Sequence, residues 1–358
     1  MTTETKTKDK SKAALKVLVT MLVLALLFTN IATLYMLIKT GYALQEALEA
    51  KPVVINQIVE AEETESEPVE DTATMPTSLF MKYAESDKVT IEFLQRFFDD
   101  RILIWAENKL HSFPVDDSLK KSDFNREFVI HNEDDERNVR TYEPTPGENT
   151  SLLGIDVSSY QGDINWNKVK NDGVDYAIIR LGYRGYGVET GKIKLDTKYH
   201  SNMKNAIAAG IPVGVYFYSQ AVNEQEAIEE AEFVIENLKG YDIKYPVVFD
   251  MEEVNDEPQY VRTSNLTTDE RTDITIAFCE RIKEEGYTPM VYGNISWMIM
   301  HLDMTRLEDY DKWFAQYFKT PFFPYEFSMW QYTPKGSISG VPGGVDLNMC
   351  FVDYAAEK

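Results

Sequence analysis

Tyr245-Pro-Val-Val-Phe-Asp-Met-Glu-Glu253 is the stretch on which the fold turns. Its apolar run is short, β-branched and aromatic, which reads as a strand. Strand side chains alternate, so Val248, Asp250 and Glu252 share one face while Val247, Phe249 and Met251 take the other. The apolar face can then pack on helices while the two carboxylates point toward the axis of a barrel.

The pattern repeats outward from this strand. Similar runs occupy Leu152–Val157, Tyr176–Tyr183, Pro212–Ser219, Pro289–Asn294, Lys312–Tyr317, Phe327–Thr333 and Val345–Cys350. Helical segments are predicted at Thr197–Ala209, Glu224–Leu238 and Thr267–Glu285, with Gly210 and Gly286 as stops for the first and last. Strand–helix alternation predicts an α/β fold, an irregular TIM-like (β/α) barrel over residues 151–358. The later connections are too short for a full helix each, which predicts an incomplete barrel. A doubly wound open sheet is the rival. No Gly-rich phosphate loop follows the first strand, where the sequence is Asp156-Val157-Ser158-Ser159-Tyr160-Gln161-Gly162.

Three of these strands carry acids at one end. Asp156 closes the first, Asp250 and Glu252 close the fourth, and Asp346 opens the last. Like charges a few ångströms apart raise one carboxyl pKa, which supplies a proton donor near neutral pH. Glycoside hydrolysis needs such a pair. A lone strand-end aspartate is as often a hydrogen-bonded structural acid, but acids on three strand ends, two of them paired, favour a site. Tyr160, Tyr183, Tyr216, Tyr218, Tyr292, Trp313, Trp330 and Tyr332 cluster near the same ends and offer flat faces to sugar rings. Barrel packing accounts equally well for any one of them. Gln316, Gln331 and Asn294 can bond sugar hydroxyls or an acetamido group, or simply cap strand ends.

The rest of the chain bounds its setting. The 358 residues carry a net charge of −23, which argues against a nucleic-acid partner. Residues 1–16 form a basic tail with Lys6, Lys8, Lys10, Lys12 and Lys16, and Val17–Ile38 runs 22 residues without a charge. At 1.5 Å per residue that is about 33 Å of helix, enough for one membrane crossing. The basic flank places the N-terminus in the cytoplasm and the remainder outside. An uncleaved anchor is favoured over a signal peptide. Residues 39–76, with the acidic run Glu60–Asp71, read as a solvated linker. Residues 77–150 read as a small helical module or stalk. Within them Leu94, Phe97, Phe98, Ile102 and Trp105 fall near helical spacing as core residues, and Asn132–Thr150 reads as a hinge. Cys279 and Cys350 are too few for a disulfide framework. Their pairing stays open, with two separately buried thiols preferred. The four histidines are scattered, so neither a metal site nor a cofactor is expected.

Eight segments occur in a fixed order: GIDVSSYQGDINW (154–166), YAIIRLGYRG (176–185), IPVGVYFYS (211–219), YPVVFDMEE (245–253), PMVYGN (289–294), WFAQY (313–317), MWQYT (329–333) and VDLNMC (345–350). Through them residues 152–354 resemble the family 25 glycoside hydrolases, lysozymes that act as N-acetylmuramidases. The resemblance implies an irregular β/α barrel and peptidoglycan glycan strands as substrate. The bond cut would be the β-1,4 link from N-acetylmuramic acid to N-acetylglucosamine, with retention. The family's acid/base glutamate falls on Glu252 and its stabilising aspartate on Asp250. Its first-strand and last-strand aspartates fall on Asp156 and Asp346. The attacking group is either the substrate's own acetamido oxygen, polarised by Asp250, or an aspartate. Arg180-Leu181-Gly182-Tyr183 departs from the Lys-x-Ser/Thr-Glu of many members, and Arg180 is counted with the substrate-binding set. The competing reading is a non-catalytic wall-binding or assembly module on the same scaffold. An anchored enzyme of this kind would sit at the bacterial cell membrane, and a membrane- or wall-associated complex is a further expected partner.

Overall fold

A computed structural model describes residues 90–106, 109–131, 136–187 and 191–356. The expected span Val17–Ile38, the acidic linker and residues 77–89 lie outside the described residues. Among the described residues no helix is long and apolar enough to cross a membrane.

The described chain opens with a short helix, α1 (Ile91–Gln95). It continues through β1 (Arg101–Ala106), β2 (Lys109–Pro114), β3 (Val129–His131) and β4 (Arg140–Tyr142). β1 pairs antiparallel with β2, and β3 with β4. This corrects the helical reading of the stretch from Leu94 to Trp105. The buried Gln95 side chain ends the helix: its amide donates to the carbonyls of Phe98 at 2.8 Å and Arg101 at 2.7 Å, and its oxygen accepts from the Leu103 N–H at 2.7 Å. Ile102, Leu103 and Ile104 then run extended and buried, a conformation the two β-branched isoleucines favour. Phe97, Phe98 and Trp105, expected in the core, are exposed at 36%, 41% and 60%. The described part of Asn132–Thr150 is no free hinge. It contains β4, and Tyr142 is tied to Thr150 and Ser151 by hydrogen bonds of 2.9 and 3.1 Å.

All eight expected strands form. They are β5 (Leu152–Val157), β6 (Tyr176–Arg184), β8 (Val213–Tyr218), β9 (Val247–Asp250), β10 (Pro289–Asn294), β11 (Asp311–Ala315), β12 (Met329–Gly336) and β13 (Val345–Cys350). A short extra strand, β7 (Ile193–Leu195), hangs antiparallel on β6. The ring runs β5-β13-β12-β11-β10-β9-β8-β6 and closes through β5–β6. The barrel is therefore complete, where the short late connections predicted a gap. The reason is strand direction: β13 is antiparallel to both β12 and β5. An antiparallel neighbour needs no crossover helix. The expected helices appear as α3 (Tyr199–Ala208), α4 (Glu224–Leu238) and α5 (Thr268–Glu284), joined by the shorter α2 (Trp166–Asn171) and α6 (Ile295–Met300).

Two apolar layers result. Tyr176, Ile178, Val248, Met290, Trp313 and Met329 belong to the inner one. Val247, Phe249 and Met251 face outward against the helices, with Phe249 and Phe278 of α5 at 4.9 Å between ring centres. The alternation read from the central strand is thus observed. Cys279 lies in the outer layer and Cys350 in the inner one, both as free buried thiols. No helix covers the β11–β12 connection. The N-terminal layer does so: Phe124 stacks on Tyr142 at 4.9 Å and meets Phe327, Phe351 and Trp330 at 5.5, 5.4 and 6.4 Å.

Candidate active site

Parallel strands bring their carboxyl ends to one mouth, and antiparallel β13 brings its beginning there. That is why an acid opening the last strand meets acids closing earlier ones. Asp346 stands directly opposite Asp156 across β13–β5. Asp250, the last residue of β9, lies level with Tyr218 on β8 and Tyr292 on β10. Glu252 sits just past the strand end, close enough for its carboxyl and that of Asp250 to shift each other's titration. These four acids open on a cleft of about 870 Å³, walled by Tyr160, Arg180, Tyr183, Tyr216 and Tyr218. A second cavity, of about 600 Å³, lies at the opposite ends of β11 and β12 among Lys120, Glu308, Asp311, Lys312 and Glu326, and none of the four acids reaches it.

Burial sets the electrostatics. Asp156 is held well above the ordinary carboxylate range by burial first and by the Asp346 charge second. Two amides oppose the shift: Gln331 Nε2 and Asn348 Nδ2 each donate to Asp156 Oδ2 at 2.8 Å. Both amides are oriented from behind. The hydroxyls of Tyr292 and Tyr317 donate to Gln331 Oε1 at 3.0 and 2.8 Å, and Trp313 Nε1 donates to Asn348 Oδ1 at 2.8 Å. Asp250, 5% exposed, is also pushed far up, by burial and then by the Glu252 charge. Its Oδ1 has no hydrogen-bond partner among the described residues. Burial raises Glu252 as well. Its hydrogen bond with Asp250 opposes this, and the Asp346 charge adds to it. Asp346 is raised to about 6 by burial. Burial and the neighbouring negative charges thus all push this cluster toward its protonated forms.

Arg180 is fixed rather than free. It pairs with buried Asp196 at 2.7 Å, donates to Ser159 Oγ at 3.1 Å, and lies 5.1 Å from the Tyr160 ring centre and 5.4 Å from that of Tyr183. Tyr160 itself is 85% exposed at the rim. Gln331 and Tyr292 lie behind the cleft rather than on its wall: Gln331 supports Asp156, and Tyr292 supports Gln331. Three further expected binding residues do not reach the cleft. Asn294 accepts from the Trp297 N–H at 2.9 Å as the cap of α6. Gln316 accepts from the Phe322 N–H at 2.6 Å and braces a loop. Trp330 faces the outer layer and donates to the Gln316 carbonyl at 2.9 Å. Period two decides the last case, because Gln331 points inward and its neighbours must point out. Asn348 and Tyr317 were not singled out from sequence. Asn348 lies two residues from Asp346 on the same strand face, a signal that was available. Tyr317 lies beyond the end of β11, where periodicity carries no information.

Residues 155–341, just over half of the chain, match the model of the family described as Glycosyl hydrolases family 25. Lysozyme M1 of Streptomyces globisporus is 26% identical over 219 residues, covering 57% of this chain and 69% of that protein. The autolytic lysozyme of Clostridium acetobutylicum is 25% identical over 198 residues, covering 55% of each. The solved structure of the modular autolysin LytC from Streptococcus pneumoniae matches at a TM-score of 0.50 and 27% identity, over 70% of this chain and 56% of that one. The chain thus spans about half the length of the clostridial protein and of the pneumococcal autolysin. A closed eight-strand barrel, acids gathered at its mouth and a family match spanning most of that barrel lead to one assignment: this chain belongs to family 25 of the glycosyl hydrolases, enzymes that cleave glycosidic bonds.

Proposed function

We propose that this protein hydrolyses peptidoglycan at the β-1,4 bond from N-acetylmuramic acid to N-acetylglucosamine, with retention. The observation that carries the reading is the pair of neighbouring carboxyls, Asp250 and Glu252, in an aromatic-walled cleft. Glu252 is the less buried of the two and gives its proton to the leaving oxygen. As the bond breaks, the acetamido carbonyl oxygen of the muramic residue closes on the anomeric carbon, and Asp250 accepts the hydrogen bond of the acetamido N–H. Glu252, now a carboxylate, takes a proton from water as that water opens the cyclic intermediate. The Asp346 charge, together with burial, raises the acid and favours its protonated form. Family membership and the lysozyme relatives support the substrate class. The uncharged Val17–Ile38 segment and its basic flank support a single-pass anchor at the bacterial membrane, with the barrel outside.

Glu252→Gln in the full-length chain tests the assignment. Release of reducing ends from purified peptidoglycan is expected to fall by about a thousand-fold or more, with the melting temperature kept. Mass spectrometry of the wild-type products is expected to show muropeptides ending in reducing N-acetylmuramic acid. Binding without any released fragment would instead establish a non-catalytic wall-binding module.

A further inference from the structure

The β11–β12 connection, residues 316–328, is held at both ends by the N-terminal layer, which lies outside the family match. Near its end, Ser122 N–H donates to the Pro324 carbonyl at 2.9 Å and Glu326 N–H to the Lys120 carbonyl at 3.0 Å. Near its start the holder is Arg140 on β4. Arg140 Nη1 donates to the carbonyls of Phe318 at 2.8 Å and Lys319 at 3.3 Å. The same guanidinium lies 4.8 Å from the Tyr332 ring centre and 5.4 Å from that of Trp330. The Arg140 N–H donates to the Tyr332 hydroxyl at 3.3 Å. Burying this charge is unfavourable, and burial depresses its pKa. A half-buried guanidinium set on two main-chain carbonyls acts as a fastening for backbone.

What it fastens is one step from the carboxylates. Phe318 follows Tyr317, whose hydroxyl donates to Gln331 Oε1. Trp330 and Tyr332 flank Gln331, whose amide donates to Asp156. Arg140 therefore holds, from the outside, the backbone that follows Tyr317 and the two rings that flank Gln331. Tyr317 is 53% exposed, so packing alone does not hold its ring. We propose that Arg140 is a positioning residue of the active site: by fixing the backbone at 318–319 against β12 it sets Tyr317, and through Tyr317 the Gln331 amide that donates to Asp156. The consequence for turnover rests on the hydrolase reading above; the consequence for Asp156 does not.

The test is a double-mutant cycle in the full-length chain with Arg140→Ala, Tyr317→Phe, the double variant and Arg140→Lys. The first readout is substrate-free. Aspartate-selective carbon-13 labelling, with Asp156→Asn to assign the signal, follows the Asp156 carboxyl as a function of pH. Asp156 faces Asp346 on β13, Asp250 and Glu252 at the end of β9, Tyr176 on β6, Tyr216 on β8, Tyr292 on β10 and Tyr317. None of these is altered in Arg140→Ala. A weakened amide donor stabilises the carboxylate less, so the Asp156 midpoint is expected to rise in Arg140→Ala and in Tyr317→Phe, with no further rise in the double. The second readout is turnover on peptidoglycan. Each single variant is expected to lose about ten-fold in kcat with little change in KM, and the double about ten-fold, not a hundred-fold. Arg140→Lys should recover part of both, since one carbonyl can still be held. An Asp156 midpoint unmoved in Arg140→Ala, or losses that multiply in the double, overturns the proposal. Should Arg140→Ala fail to fold, Arg140→Lys and Tyr317→Phe decide. A wild-type chain that titrates as expected yet releases no glycan fragments defeats the hydrolase reading alone.

Discussion

Asp346 shows how much one carboxyl can influence the site. Its charge raises Glu252, the proposed proton donor, and also Asp156. Asp346→Asn should therefore lower the Glu252 pKa. Activity that depends on protonated Glu252 is lost as pH rises through that pKa, so the basic limb of the kcat/KM profile should move to lower pH, by about one unit for a charge this close. An unmoved limb would show that the two acids do not communicate. The same substitution has a stability consequence. The folded-state pKa of Asp346, about 6, lies above the unfolded value of 3.8, so the folded state binds more protons between the two. Folding stability then falls as pH rises through that window. Asp346→Asn removes this penalty and should stabilise the protein by about 1–3 kcal/mol at about pH 7.5, with the gain vanishing below about pH 4. Urea unfolding at the two pH values measures it. The four acids were legible in the sequence because strand period two and strand ends are local properties. Gln331 was legible only as a sugar contact or a strand cap, and its role on Asp156, like that of Asn348, depends on a partner far along the chain.

At the scale of the element, β5 carries Asp156 at a fixed height only because its neighbours pack closely. Gly154 lies beneath Tyr176 of β6, and a Cβ there would sit 2.1 Å from the ring. The ring cannot retreat, since it stacks on Tyr245 at 4.4 Å. Gly154→Ala should cost about 2–3 kcal/mol in denaturant unfolding and also depress turnover, because Asp156 lies two residues along the same strand face. A stable variant would mean that the barrel interior repacks freely. The strands themselves were readable from their apolar runs, and so were α4 and α5, whose caps Asn223 and Thr267 accept from Glu226 and Glu270 N–H groups. The β1–β2 hairpin was not. Val89–Leu110 has near-helical apolar spacing, and what overrides it is a single buried side chain, Gln95, satisfying backbone groups up to eight residues away.

Across the whole described molecule, the N-terminal layer and the barrel share one apolar core: Ile102, Ile104, Leu119 and Val129 belong to the same cluster as the helix-facing residues of the strands. Removal of residues 1–150 should therefore expose Phe327, Trp330 and Phe351 along the helix-free side. The remaining barrel should be insoluble or melt at least about 10 °C lower, from the loss of several large apolar contacts each worth about 1.5–3 kcal/mol. A soluble barrel with unchanged melting, followed by circular dichroism, would show the layer to be dispensable. Residue type and a period of two are enough to specify the eight strands, the faces they bury and the acids at their ends. Long-range packing, in contrast, settles that the barrel closes, that Trp330, Gln316 and Asn294 serve the scaffold and not the cleft, and that the layer before the barrel covers its helix-free side. Ring closure depends on the direction of the last strand. A side chain's final role depends on which distant group meets it. Neither is written in local periodicity.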